Sequence, residues 1–502
     1  MYLTFDVGTT SVKTVLYDSK GELIYKVIKD YQLHSPQIDW YEVNPEVYWH
    51  TVINGFKEIL DKSGVLPDCI KAISGCSQGE TIILLDETDT PVRPAIVWID
   101  NRARDEIIEI KKFIDEEEFY RVTGLLKMEP TWSVFKILWI KNNEEETFKK
   151  IKKVFLVEDY IVYKLTGRYV SSSSLLASSG LIDIHKRKYW NKTVDYLNIG
   201  EKLPEIIEEG SIVGKIKKDI SSELGLKNNV IIVKGSMDQT TSAVGAGNIN
   251  PGIITETTGS AMVVAVTADK VKYNNELKLP YQPHVVGDKY LILPYAQTAG
   301  IIYKWFADEF ASELVKKEGS LEHVYNLLNE LASSIAPGSE GLIFLPFLAG
   351  ASFPENNSYA KGVFFGITLK HGKAHFVRVI LESVGYMLKK ILLYVEKYGI
   401  QIEEIRAMGG GARSDLWLQI KADITGYKIV KMKQEETSTL GAAILAATKA
   451  GDFKNIEEAV QNMVKKGMEF IPNQDNNEVY QKNYRIYNEL YRRLEGLFRL
   501  AD

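Results

Sequence analysis

Asp6-Val7-Gly8-Thr9-Thr10-Ser11-Val12-Lys13 brings a carboxylate, a glycine, two hydroxyls and an ammonium into one short stretch. A tight turn here exposes backbone N–H groups. Gly8 lets an anion approach the main chain, and Thr9, Thr10 and Lys13 add donors and a cation, as a phosphate-binding loop requires. Asp6 is placed to hold Mg²⁺ through water, because Mg²⁺ keeps much of its hydration shell. The same residues also make an ordinary β-hairpin. Thr257-Thr258-Gly259-Ser260 is a second small-residue turn. Alone it is unremarkable; facing the first turn across a cleft, it completes a clamp on the β- and γ-phosphates. Asp238 follows the buried run Val230–Val233 and Gly235. A carboxylate there suits a general base for an alcohol, whose own pKa lies far above neutral. It equally suits the N-cap of a helix starting near Gln239. Gly409-Gly410-Gly411-Ala412, between a strand and a helix, leaves backbone open to a flat ring or a ribose, or simply turns the chain. Gln78, Glu80, Trp98, Asp100, Asn101 and Arg102 offer the carboxylates, amides and aromatic face that a polyhydroxyl ligand wants. The plain alternatives are a charged loop at Asp100–Arg104 and core packing for Trp98.

Strands and helices must carry these groups. Tyr2–Asp6 and Ser11–Asp18 read as strands around the first turn, with Val12 and Leu16 on one face and Val15 and Tyr17 on the other. The order strand, turn, strand excludes a Rossmann loop or P-loop, and neither GxGxxG nor GxxxxGK[ST] is present. Val47–Lys62 reads as an amphipathic helix, Ile70–Ser74 and Thr81–Asp86 as strands, and Val154–Leu165 as a helix. Near residue 247 the pattern restarts, with strands at Gly252–Glu256 and Ala261–Thr267 around the second turn. Gly341–Pro346 and Ile405–Met408 are further strands. Lys373–Val395 is a long helix, and Ser414 can cap another running through Trp417, Ile420 and Ile424. The mixture is α/β, in two domains of similar topology, 1–246 and 247–502. No Pro/Gly/Ser-rich linker divides them, so contact with a cleft between is expected. The last residues, rich in Tyr, Arg and Leu, read as a surface-docked helix.

Composition narrows the class. The 502 residues are 45% hydrophobic and 25% charged, as in a globular protein, and the formal net charge of −5 gives no basic field for nucleic acid. Two cysteines, Cys69 and Cys76, make no disulfide framework, and the seven histidines lack metal spacing. The opening residues lack a basic start followed by an apolar core, and no apolar run is long enough for a membrane span, so neither a signal peptide nor a span is expected. A cytoplasmic protein is the expectation.

The motifs together resemble the FGGY family of carbohydrate kinases, which includes xylulokinase and glycerol kinase. Asp6–Lys13 looks like the family's first phosphate loop and Thr257–Ser260 like its second. Met237-Asp238-Gln239 resembles the catalytic Asp followed by an amide. Gly362–Glu382 resembles the signature segment, Gly409–Asp415 the nucleotide segment, and Thr439–Ala443 the helix after it. The resemblance implies two actin-like ATPase (ribonuclease H-like) domains, an N-terminal sugar-binding one and a C-terminal nucleotide-binding one. It also implies ATP with Mg²⁺, held at Asp6 and Asp238. On it Asp238 is the general base, and Thr9, Thr10 and Lys13 meet the transferring phosphate with Thr258 and Gly259 opposite. Gly410, Gly411 and Asp415 lie near the adenosine. Gln78, Glu80, Trp98, Asp238 and Gln239 face the sugar. The partners implied are a small sugar or polyol and ATP, with room for a homodimer.

The departures concern the acceptor. Ser77-Gln78-Gly79-Glu80 stands where xylulokinases usually show Met-His-Gly; it is nearer to the Gln-Arg-Glu of glycerol kinase, with Gly79 in place of Arg. The family's aromatic contact falls at Thr131, beside Trp132. Both changes favour an acceptor larger than glycerol, a pentulose such as xylulose, a hexulose or an alditol. A glycerol kinase-like polyol kinase, a non-catalytic ATP-binding regulator of the same fold and a nicotinamide-dependent dehydrogenase are the rival readings. The missing GxGxxG opposes the last.

Overall fold

A computed structural model of the protein describes residues 1–274 and 278–501. The chain forms two compact units. The first comprises Met1–Ile249, Asp269–Leu291 and Glu436–Val464; the second comprises Asn250–Ala268, Ile292–Glu435 and Lys465–Asp502.

In the first unit one sheet runs, in spatial order, Ile212–Lys215, Ile231–Val233, Ala72–Ser77, Tyr2–Val7, Ser11–Tyr17 and Leu23–Asp30, with Ser236–Met237 also beside Ala72–Ser77. Tyr2–Val7 and Ser11–Tyr17 form the expected antiparallel hairpin, with Asp6 opposite Lys13. Tyr2–Val7 is parallel to Ala72–Ser77, which sets Asp6 beside Cys76, and Ser236 flanks Cys76 on its other side. Strand residues alternate between faces. Leu3, Phe5, Val7, Val12 and Leu16 enter one core, and Tyr2, Val15 and Tyr17 enter another, in the alternation read from the sequence. Asp6 therefore shares the face of Tyr2.

A helix covers the Leu3 face. Pro45–Lys62 starts at Asn44, whose side chain accepts the Glu46 N–H, and it buries Tyr48, Val52, Phe56 and Ile59 along one stripe. The Tyr2 face is covered by Thr437–Lys449, which packs on Asp238–Gly245. These two helices approach closely because each offers a glycine where the other's backbone arrives. A Cβ on Gly245 would lie 1.9 Å from the Thr437 carbonyl oxygen, and one on Gly441 would lie 2.0 Å from that of Thr241.

The second unit has a sheet ordered Met262–Ala268, Ile253–Thr258, Glu404–Met408, Ile429–Met432 and Lys466–Phe470. It too opens on an antiparallel hairpin, with Ile253–Thr258 parallel to Glu404–Met408. Lys373–Lys397 and Asp415–Thr425 pack together, tied where the Trp417 indole N–H donates to the Leu381 carbonyl at 3.0 Å. Ser414 caps as expected, accepting the Trp417 N–H at 3.2 Å. Gln474–Phe498 is the expected terminal helix. Among the described residues, no helix is long and apolar enough to cross a membrane.

The single helix expected over 154–165 is instead a strand, Lys153–Phe155, followed by a helix, Val157–Thr166. Pairing of Val154 and Phe155 with Ile83–Leu85 overrides local helical spacing.

His284 is fully buried in the first unit. Its Nδ1 accepts the Val286 N–H at 2.9 Å, so Nε2 carries the proton and donates to the Asn248 carbonyl at 3.0 Å. Burial pulls the ring down from 6.5 to about 4. The unfolded chain therefore binds a proton that the folded chain refuses between these values. The contribution is complete above pH 6.5 and is lost as pH falls toward 4, amounting to about 3 kcal/mol. In denaturant titrations from pH 7 to 4, wild-type stability should fall more steeply than that of His284→Gln, whatever that variant's stability at pH 7.

Candidate active site

The first turn is closed by the Gly8 N–H donating to the Ser11 carbonyl at 3.0 Å. Asp6, below it, is half-buried; its Oδ2 accepts the Ser438 hydroxyl at 2.7 Å. Asp238 begins the helix Asp238–Gly245, and its Oδ1 accepts the Gln239 N–H at 2.6 Å. Burial, then the charge of Asp6, push Asp238 up to about 8. Asp6 is raised by burial too. Cys76 lies between them; burial first, then both acids, hold its thiol well above the usual range. The structure thus brings Asp6 and Asp238 into one electrostatic neighbourhood at the end of a sheet. The helix N-terminus favours the anionic form of Asp238. Asp238 is not the N-cap; Met237 occupies that position. Gln239 is half-buried beside it.

Lys13 points its ammonium at Glu436, 2.9 Å away, and Lys26 shares that carboxylate at 2.8 Å. Glu436 is a partner far away in sequence. Thr10 is exposed. Thr9 Oγ1 accepts the Trp98 indole N–H at 2.8 Å. Trp98 is 38% exposed, so it is not a core residue.

Trp98 and Glu80 are held from behind. The Thr131 hydroxyl donates to the Trp98 carbonyl at 2.7 Å, and the Ser133 hydroxyl to the Glu80 carbonyl at 3.1 Å. Lys136, fully buried, donates to both carbonyls, at 3.1 and 3.4 Å. Burial lowers its ammonium to about 7, and burial raises the Glu80 carboxyl. Lys136 was absent from the sequence reading. Its signal was a lone cation in the otherwise apolar run Val134–Leu138.

Gln78 is buried, with its amide nitrogen donating to the Tyr48 hydroxyl at 3.2 Å. The space beside Gly79 is not vacant: a Cβ there would lie 3.0 Å from both Met237 Sδ and Ser178 Oγ. Asp100 and Arg102 are not a charged surface loop. Both are buried, with Arg102 bonded to Asp100 at 2.9 and 2.8 Å and stacked 4.0 Å from the Trp40 ring centroid. Asn101 donates to the Ile99 carbonyl at 3.0 Å. These three brace the segment that carries Trp98.

In the second unit Thr258 is buried. Its hydroxyl bonds Glu256, and Lys421 donates to Thr258 Oγ1 at 2.9 Å and to Glu256 Oε1 at 3.0 Å. The turn therefore has its backbone, not the Thr258 hydroxyl, to offer an anion. The glycine run divides by role. A Cβ on Gly409 would lie 2.8 Å from the Thr258 carbonyl oxygen, and one on Gly411 would lie 2.7 Å from the Thr258 side chain. Gly410 has nothing within 4 Å of its would-be Cβ, and Gly259 only the Ala261 carbonyl oxygen at 4.0 Å. Those two leave room for a ligand. Asp415 is exposed and pairs with Lys431 at 2.8 Å.

Comparison with known proteins agrees over both units. The family model "FGGY family of carbohydrate kinases, N-terminal domain" matches residues 1–245, and its C-terminal counterpart matches residues 253–450. The chain is 30% identical over 497 residues to a xylulose kinase of Staphylococcus epidermidis, covering 99% of this chain and 97% of that one. It is 30% identical over 506 residues to a gluconokinase of Bacillus subtilis, covering 100% and 97%. The crystal structure of a ligand-bound xylulose kinase from Lactobacillus acidophilus superposes with a TM-score of 0.90 at 26% identity, covering all of both chains.

The two glycine roles separate experimentally. Gly411→Ala forces a clash with Thr258 and should lower the Tm by several degrees, whereas Gly410→Ala should melt with the wild-type protein in the same calorimetric scan.

Proposed function

We propose, from the premise that this chain belongs to the FGGY family of carbohydrate kinases, that it transfers the terminal phosphoryl group of ATP to a hydroxyl of a neutral ketose, a pentulose such as xylulose foremost. The observation that carries the choice of acceptor is charge. Asp6, Glu80 and Asp238 gather acid around the site, with burial raising all three. The cations nearby are committed, Lys13 to Glu436 and Lys136 to two carbonyls. A sugar acid would bring one more carboxylate into surroundings that already resist carboxylate charge. Of the acceptors named by two relatives, xylulose is neutral and gluconate carries a carboxylate.

Asp238 accepts the proton of the attacking hydroxyl on this reading, which requires its ionised form. Thr9 and Thr10 present the first turn to the transferring phosphate, with Lys13 as its cation once released from Glu436. Gln78, Glu80, Trp98 and Gln239 orient the acceptor. From the second unit Thr258, through its backbone, with Gly259, Gly410, Gly411 and Asp415 serve the nucleotide. Positioning and charge neutralisation then carry most of the catalysis.

Among the described residues no three His, Cys, Asp or Glu are grouped for an all-protein metal cage. Two carboxyls raised chiefly by burial, that of Asp238 also by Asp6, fit Mg²⁺, which takes one or two acids and fills its shell with water and phosphate oxygens. Asp6 and Asp238 would hold it. Bound there, Mg²⁺ would neutralise the phosphates and favour the ionised carboxyls. ATP as donor points to the cytoplasm as the place of action.

With ATP and Mg²⁺, kcat/KM for D-xylulose or D-ribulose should exceed that for gluconate at least about tenfold; gluconate or glycerol as the best acceptor overturns the neutral-ketose reading. Asp238→Asn should lower kcat by about 10²-fold or more with little change in ATP affinity. Near-normal turnover in that variant removes Asp238 from the base role, and sugar-independent ADP release in the wild type would favour a regulatory ATP-binding protein.

A further inference from the structure

One residue grips the first turn from two sides. Tyr31, just after the strand Leu23–Asp30, donates its backbone N–H to the Thr10 carbonyl at 2.9 Å and its phenolic O–H to the Gly8 carbonyl. A trans peptide is planar, with its C=O and N–H pointing opposite ways. Pinning the Gly8 carbonyl toward Tyr31 therefore turns the Thr9 N–H away from it.

Tyr31 is itself held. Its ring meets Tyr48 edge-on, with centroids 5.4 Å apart at 88°. Burial raises both phenols, and each hydroxyl also shifts the titration of the other. Tyr48, fully buried, accepts from the Gln78 amide nitrogen at 3.2 Å. Tyr48 thus stands between the Gln78 amide, which donates to its hydroxyl, and the ring of Tyr31, whose own hydroxyl donates to the Gly8 carbonyl. It also fixes the Gln78 amide, leaving Oε1 buried without a protein partner.

We infer that Tyr31 and Tyr48 are positioning residues of the kinase site: Tyr31 sets the Gly8–Thr9 peptide so that its N–H serves the phosphates, and Tyr48 locks that peptide to the acceptor-side segment at Gln78. The inference rests on the kinase reading for what the turn binds. Neither tyrosine touches a reacting atom.

Tyr31→Phe keeps the ring and removes the O–H. It should lower kcat/KM for ATP about tenfold while the KM for the sugar stays within twofold, a split that general loosening of the fold does not give. Tyr48→Phe should shift the same parameters in the same direction by less. The double variant should resemble Tyr31→Phe alone, because Tyr48 reaches the turn only through Tyr31. Wild-type ATP parameters in Tyr31→Phe, or equal rises in both KM values with a lowered Tm, overturn the inference. Calorimetric titration of each variant with Mg–ATP separates this inference from the kinase reading. If the wild type phosphorylates no sugar or polyol, that reading fails, yet tenfold weaker Mg–ATP binding in Tyr31→Phe still supports the positioning role and unchanged binding rejects it.

Discussion

Asp6 and Asp238 stand either side of Cys76 at the end of one sheet, in surroundings that disfavour charge. Two carboxylates in such a place repel one another, and each resists ionising while the other is charged. The fold answers only in part. Ser438 donates to Asp6, and the N-terminus of Asp238–Gly245 supports Asp238. Lys13, the nearest cation, is drawn toward Glu436. What remains is a pair of acids held back from ionising, a site that gains most from a cation and then from a hydroxyl needing to lose its proton.

The first unit is built so that this pair can exist. Parallel pairing of Ala72–Ser77 with Tyr2–Val7 on one side and Ser236–Met237 on the other carries both acids to the same sheet end. Close contact between Asp238–Gly245 and Thr437–Lys449 depends on Gly245 and Gly441, and it is Thr437–Lys449 that brings Ser438 to Asp6. A bulkier residue at either glycine would act on the site through helix separation, not through any group of its own.

Local pattern made the two hairpins, the caps at Asn44 and Ser414 and the long helices legible, because each depends on neighbours in sequence. So did the family motifs, which led to the actin-like α/β fold shared with the carbohydrate kinases. The return of Glu436–Val464 to the first unit was not legible, since no local spacing encodes which distant strand a helix covers. For the same reason Glu436 could not be foreseen as the partner of Lys13, nor Trp98 as the donor to Thr9. Asp100 and Arg102 looked like a solvated loop because charge suggests exposure; their mutual pairing and the Trp40 face allow burial. Lys136 was legible in principle, as a cation where the apolar run allows none without purpose.

The two hairpins solve one problem in opposite ways. Each carries acid near its turn. In the second unit Glu256 is matched by buried Lys421, and Thr258 completes the pairing from within, so that turn presents backbone and open glycine with its charge already settled. In the first unit the acid at the turn stands opposite Lys13, which Glu436 holds. A neutral cradle suits a nucleotide that brings its own charge and metal. An unbalanced acidic end suits the chemistry of removing a proton from a neutral alcohol. The contrast between the two turns follows from where each cation was placed, more than from the turns themselves, whose sequences look alike.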